Sequence, residues 1–164
     1  MMSDQYHHWL IDSHSLTQRL QQRYKDFSVI PALIAYKKPF LDELLPLNIS
    51  HRKKVLIREV KLMGSNQLVV YAHSVLPRKS LRGAWLGLRN LGNKPLGAML
   101  FANPQVSRAP LSYKKLKSQH VLYRLATKDL ITKPAFLWAR RSVFSLNCAS
   151  IMITEVFLPQ LLDH

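Results

Sequence analysis

"KVLIREVKLM" (54–63), the tripeptide "GSN" (64–66) and "QLVVYAHSVLP" (67–77) decide the fold. Both long runs are rich in β-branched and aromatic residues. The connector carries glycine and asparagine, which tolerate the left-handed backbone of a tight turn. The pattern predicts two antiparallel strands closed into a hairpin. Alternation along the first strand puts Leu56, Arg58, Val60 and Leu62 on one face, with Glu59 and Lys61 on the other. Arg58 is out of place in that company. Arginine does not shed its charge by deprotonating, so on an apolar face it needs a partner or a bound anion.

The anomaly returns with the opposite sign near the end of the chain. In "SIMITEVFLP" (150–159), Glu155 points the same way as Ile151, Ile153 and Phe157. A carboxylate on that face must find a partner or hold its proton, because desolvation penalises the charged form. The preceding run, "AFLWARRSVFSLN" (135–147), reads as one more strand, joined to it by a tight turn near Cys148. Adjacent strand residues face opposite ways, so at most one of Arg140 and Arg141 points inward with Glu155. Two readings follow. Arg58 and Glu155 are a buried ion pair, or both line a closed pocket for a flat, mostly apolar ligand with polar ends, Arg58 gripping a carboxylate through its fork of donors.

The rest of the chain supplies helices and one further strand. In "DSHSLTQRLQQRY" (12–24), Ser15 and Gln18 have capping-box spacing, and Leu16 and Leu20 fall one turn apart, which predicts a short amphipathic helix. "FSVIPALIAYK" (27–37) is β-rich, with Pro31 arguing for an edge position or a bend. A polar, proline-punctuated link through Pro39, Pro46 and Asn48 follows. "SLRGAWLGLRNLG" (80–92) carries Leu81, Trp85, Leu88 and Leu91 at helical spacing, with Gly92 placed to stop the helix. "NKPLGAMLF" (93–101) reads as a second short helix with Pro95 in its first turn, and residues 102–120 are mixed and basic. The expected fold class is α+β, a single mainly antiparallel sheet with helices covering a buried ligand pocket, in one domain spanning residues 1–164.

With 48% hydrophobic residues the chain can build a core and an internal pocket. The N-terminus lacks the layout of a signal peptide, and no apolar run approaches the roughly 18 residues a membrane span needs. A single cysteine, Cys148, excludes an intramolecular disulfide, so a cytoplasmic protein is expected; no membrane insertion and a monomeric state are expected beside it. Lys+Arg of 24 against Asp+Glu of 9 gives a net charge of +15, which attracts anions of any kind. The lysines cluster at 37–38, 53–54 and 114–117, reading as loops or solvated edges. A nucleic-acid module would interleave exposed aromatics with them as stacking platforms. Instead Trp85 and Phe101 sit in apolar helical patterns, so no specific nucleic-acid partner is expected. His7 and His8 stand near the free N-terminus, and no metal site or activated nucleophile is legible.

"REVKLMG", "LGNKPLGAMLF", "LWARRSVF" and "TEVFLP", in this order and spacing, resemble the chorismate lyase family of bacterial ubiquinone synthesis. The resemblance runs from about Leu10 to Leu158 and is strongest from Leu56 onward. It implies removal of pyruvate from chorismate to leave 4-hydroxybenzoate, with no metal or organic cofactor. It also implies one antiparallel sheet with helical flaps over a buried site. Carried over by position, it puts Arg58 on the ring carboxylate and Glu155 on the 4-oxygen. It puts the backbone amide of Leu96 on that same carboxylate and Leu16 in the closing lid. A helix start at Leu96 agrees, since unpaired N–H groups in a first turn favour an anion.

One departure stands out. Where the family commonly has Gly-Arg-Thr or Ala-Arg-Thr, this chain reads Ala72, His73, Ser74. The resemblance therefore implies a catalytic position for His73, whose imidazole replaces an arginine's charge only while protonated. Arg78, Arg140 or Arg141 are the other candidates for that duty. Two alternatives to the lyase remain at this level: a noncatalytic small-carboxylate sensor of the same fold, and a lyase acting on a relative of chorismate.

Overall fold

A computed structural model describes residues 4–91, 94 and 96–163. Its centre is a sheet of seven strands, antiparallel at every pairing. The strands are β1 (Ser28–Lys37), β2 (Val55–Gly64), β3 (Gln67–Leu76), β4 (Ser107–Arg108), β5 (Ser112–Leu116), β6 (Leu137–Leu146) and β7 (Ala149–Phe157). They lie in the order β1-β2-β3-β7-β6-β4, with β5 also pairing β6. The hairpin predicted from 54–77 is present. Ser65 and Asn66 form its two-residue turn with φ of 50° and 60°, the left-handed pair whose twist matches the flanking strands. Asn147 and Cys148 repeat the device between β6 and β7. Pro31 sits on edge strand β1 beside a register shift, as its missing N–H requires. Gly64 ends β2 against the ring of Tyr24, where an added Cβ would stand 2.5 Å from ring atoms.

Among the described residues six α-helices cover the two faces: α1 (Asp4–Leu10), α2 (Leu16–Arg23), α3 (Leu41–Leu47), α4 (Arg78–Arg82), α5 (Leu96–Ala102) and α6 (Val121–Thr127). On one face Trp9, Leu10, Leu16 and Leu20 pack on Val60, Leu62, Ala72 and Phe157. Beside them Leu81, Trp85, Leu88, Leu96 and Leu100 pack on Leu56, Phe144 and Ile153. On the other face α6 covers Tyr71, Ala139 and Val156, and Leu47 of α3 meets Ile57, Val75 and Met152. The Ser15 hydroxyl accepts from the Gln18 amide at 3.3 Å and caps α2, as its spacing predicts.

Three expectations need correction. The single helix over 80–92 is two pieces, α4 and a 3₁₀ helix at Leu86–Asn90, because the chain turns at Gly83; its four apolar residues are nonetheless all buried. The proline-punctuated link contains α3, which tolerates Pro46 in its last turn and ends at Asn48 with φ 51°. The basic stretch after residue 102 holds β4 and β5, and α6 follows it. Gly92, expected to stop the first helix, and Pro95, expected in the first turn of the second, lie outside the described residues.

Candidate active site

Strand register brings the inward charges onto neighbouring rows of the sheet. One row runs Arg58, Ser74, Ile153, Ser142 across β2, β3, β7 and β6. The next runs Val60, Ala72, Glu155, Arg140. Directly opposed residues share a face, and this face lies under α2 and α5. Arg58 and Glu155 are two strands and one row apart, about 12 Å between backbones at ordinary spacing. Between them stand Ala72 and Ser74, two of the smallest side chains available. A hollow results, floored by these rows and lined above by Leu16, Thr17, Leu96, Gly97, Leu100 and Phe101. Gly97 lets the two short helices meet: an added Cβ would stand 3.3 Å from Thr17 Oγ1 and 3.5 Å from Ser15 Oγ.

Glu155 forms its ion pair with Arg140, not with Arg58. Nε and Nη2 of Arg140 both reach Glu155 Oε2 at 2.7 Å, and among the described residues no protein donor reaches Oε1. Arg140 is 1% exposed, and its Nη1 also donates to the carbonyls of Trp9 and Asp12. It therefore ties Glu155 to the segment that closes the hollow. Arg58 is buried on the opposite side and donates through Nη2 to the Lys94 carbonyl at 2.8 Å. Burial holds its pKa below the ordinary arginine value. A third guanidinium, Arg108 of β4, lines the same hollow. The three guanidiniums and one carboxylate leave a surplus of two positive charges. This arrangement suits a ligand with two negative charges and a hydroxyl that donates to Glu155 Oε1.

His73 does not join them. It stands opposite Glu59 on β2 and Thr154 on β7, so its side chain lies on the other face of the sheet. There Nδ1 meets Glu59 Oε2 at 2.7 Å and Nε2 meets Glu43 Oε2 at 2.9 Å. Tyr71 donates to Glu59 Oε1 and the Phe40 amide to Glu43 Oε1, so every oxygen of the two carboxylates is used. The Phe40 ring stacks on the imidazole at 5.0 Å. Burial lowers the His73 pKa, but the hydrogen bonds and charges of Glu43 and Glu59 outweigh it and raise it to about 9. The expectation of His73 beside a substrate carboxylate is thus corrected: strand alternation sends Ala72 and Ser74 into the hollow and His73 away from it. Arg78 is no substitute, since it lies over the Tyr36 ring at 4.4 Å, and Arg141 is held by Asp42 outside the hollow.

Sequence reasoning singled out Arg58, Leu16, Leu96 and Glu155, and the structure gathers all four around the hollow. It missed Arg108, whose two-residue strand has no periodicity to read. Arg140 was half found, as one of an adjacent pair of which at most one could face inward. One lysine cluster does have aromatic neighbours: Lys115 Nζ lies 4.5 Å from the Phe136 ring centre and 5.2 Å from that of Trp138. Among the described residues no group of three His, Cys, Asp or Glu side chains stands together as a metal site. Among the described residues no helix is long and apolar enough to cross a membrane.

Comparison with known proteins matches the family model described as chorismate lyase over residues 1–164. A probable chorismate pyruvate-lyase of Nitrosomonas europaea is 47% identical over 153 residues, covering 93% of this chain and 86% of the relative. One from Methylobacillus flagellatus is 45% identical over 157 residues, covering 96% and 88%. Among solved structures, the C-terminal domain of PhnF aligns with a TM-score of 0.63 at 11% identity, over 81% of this chain and 83% of that one. The PhnF effector domain of Mycobacterium smegmatis gives 0.59 at 12%, over 90% of each. At such identity these two likenesses speak for the fold alone.

Proposed function

The chain belongs to the chorismate lyase family and eliminates pyruvate from chorismate to give 4-hydroxybenzoate for ubiquinone synthesis, and we propose that the hollow between Arg58 and Glu155 is where it does so. Arg58 takes the ring carboxylate through its planar fork, joined by the backbone amide of Leu96 at the start of α5. Glu155 accepts a hydrogen bond from the 4-hydroxyl through Oε1, the oxygen that Arg140 leaves open. Leu16 and Leu100 wall the ring, and Ala72 leaves space beneath it.

In the reaction the C3–O bond breaks and its electron pair departs with the enolpyruvyl oxygen. The C4 hydrogen leaves as a proton, and the enolate's methylene carbon takes up a proton to become the methyl group of pyruvate. The ring becomes aromatic, which supplies the driving force. The protein's part is placement, compensation of the charge that develops on the departing oxygen, and exclusion of water. The surplus of two positive charges in the hollow matches a dicarboxylate, and that match supports the residue assignment most directly.

The test is chorismate loss and pyruvate formation followed together, with Arg58→Gln and Glu155→Gln beside the unaltered protein. Loss of turnover in both variants with folding intact supports the assignment. Unchanged kcat/KM in either removes that residue from the site.

A further inference from the structure

Chorismate carries two carboxylates, and the assignment above provides for one. The second sits on the enolpyruvyl arm at C3, next to the C4 oxygen. It must therefore lie at the Glu155 end of the hollow. Two guanidiniums stand there, and their hydrogen bonds separate their duties. Arg140 spends its Nε, its Nη1 and part of its Nη2 on Glu155, Trp9 and Asp12. It is almost wholly enclosed by those partners.

Arg108 is differently placed. It stands opposite Phe144 in the β4–β6 pairing and so shares the face of Phe144, Ser142 and Arg140. Its Nη2 donates to Ser142 Oγ at 2.7 Å, and Ser142 is the next inward residue on β6 after Arg140. Its Nη1 donates to the Ser13 carbonyl at 2.7 Å, in the segment that closes the hollow. Of the five N–H donors of a guanidinium, three remain unused among the described residues, and its Nε is buried without an acceptor. Phe144 and Phe101 lie beneath and beside it, with ring centres 5.0 and 5.6 Å from its Cζ, so its plane is held and partly screened from water. A buried donor with no acceptor is costly unless an occupant of the site supplies one.

We propose that Arg108 receives the enolpyruvyl carboxylate, and that this contact distinguishes substrate from product. The proposal rests on the lyase reading of the hollow. Once the C3–O bond breaks, this carboxylate leaves with pyruvate, and 4-hydroxybenzoate retains only the Arg58 end. Arg108 is then a substrate-binding residue with no hold on the product, whereas Arg58 holds both. Because Arg108 also bonds the Ser13 carbonyl, substrate binding and closure of the segment over the hollow meet at one side chain.

The experiment measures KM and kcat for chorismate and, separately, the Kd of 4-hydroxybenzoate, in the unaltered protein, Arg108→Gln, Arg108→Lys and Arg58→Gln. Loss of a charge-assisted contact is worth about 10- to 100-fold. Arg108→Gln should raise KM by that order and change the Kd of the product less than about threefold. Arg108→Lys, which keeps the charge and loses the fork, should fall between. Arg58→Gln should weaken both ligands alike. A second arm needs no variant: 3-(carboxymethoxy)benzoate, a stable aromatic diacid with its ether arm in the position of chorismate's, should outcompete benzoate by about tenfold for the unaltered protein. Equal loss of product and substrate in Arg108→Gln overturns the proposal, as does no loss of either, or no preference for the diacid. Absence of chorismate turnover by the unaltered protein would instead remove the lyase reading beneath it.

Discussion

Two buried clusters of charge lie back to back on the same strands and do different things. On one face of β2, β3 and β7, Glu59, His73, Glu43 and Tyr71 bond to one another until every carboxylate oxygen is used. On the other, Arg58, Arg108, Arg140 and Glu155 surround a hollow with positive charge in excess, and no donor among the described residues reaches Glu155 Oε1. Burial and perturbed ionisation are found on both, so neither marks the functional face. What sets the proposed one apart is charge and hydrogen-bonding capacity left over after the groups of the described residues are counted. The satisfied face tethers α3 to the sheet; the unsatisfied face, where Glu155 Oε1 and Arg108 Nε have no partner among the described residues, is the one proposed to take a ligand.

The largest effect should come from the unsatisfied face. Arg58→Gln and Glu155→Gln are expected to lower kcat/KM by about 10²- to 10³-fold, the scale of losing one placed electrostatic contact in an enclosed site, with little change in melting temperature. Steady-state kinetics beside calorimetry checks this, and a large fall in Tm with kcat/KM preserved would reverse the roles of the two faces.

The satisfied face should behave oppositely. His73→Leu leaves two buried carboxylates without a donor each, at a cost on the order of 3 to 5 kcal/mol. Tm should drop by roughly 10 °C, while turnover of the protein still folded at 20 °C stays within about threefold. His73→Arg should also destabilise, because Glu43 and Glu59 are spaced for an imidazole, and it should not raise turnover. A rise would return His73 to the reaction.

A pH series sharpens the same contrast. The His73 pKa is raised from 6.5 to about 9, so its contribution to stability is fully present below about pH 6.5 and is lost as pH rises through about 9. The difference in unfolding free energy between the unaltered protein and His73→Leu should shrink over that window by an amount on the order of 3 kcal/mol. Denaturant titrations at several pH values read it, and a difference that stays constant would contradict the Glu–His–Glu arrangement. The kcat/KM of folded protein should show no inflection that His73→Leu removes.

The smallest effect belongs to the closing helices. Gly97→Ala presses a methyl group toward Thr17 Oγ1, 3.3 Å from where it would lie. A rise of a few-fold in KM with kcat nearly unchanged is expected, because a well-packed contact yields only by shifting. Unchanged KM would mean that α2 and α5 need not meet during turnover.

Much of this was readable from alternation. Arg58 and Glu155 each break an apolar period of two, and both hairpins announce themselves by turn residues. His73 shows the limit of positional resemblance: the position carries over, but its face is fixed by the pleat, one residue from Ala72 and one from Ser74 on either side. Counting by two from Arg58 across the hairpin would have placed it correctly only with the register known. Arg108 left no trace, since a two-residue strand has no period and its reach to Ser142 is a long-range contact. The helix α3 was hidden by Pro46, whose missing N–H and ring argue against a helix anywhere beyond the first turn, yet which stands in the last turn of this one.

The central claim is that the ligand lies on the face of Arg58 and Glu155 and not on that of His73. A crystal structure with 4-hydroxybenzoate bound tests it most directly. The account predicts the carboxylate on the Arg58 fork and the Leu96 amide, with the hydroxyl on Glu155 Oε1 and Arg140 still on Oε2. Product seated against His73, Glu43 and Phe40, or Arg58 and Glu155 closed on each other with the hollow gone, would contradict it.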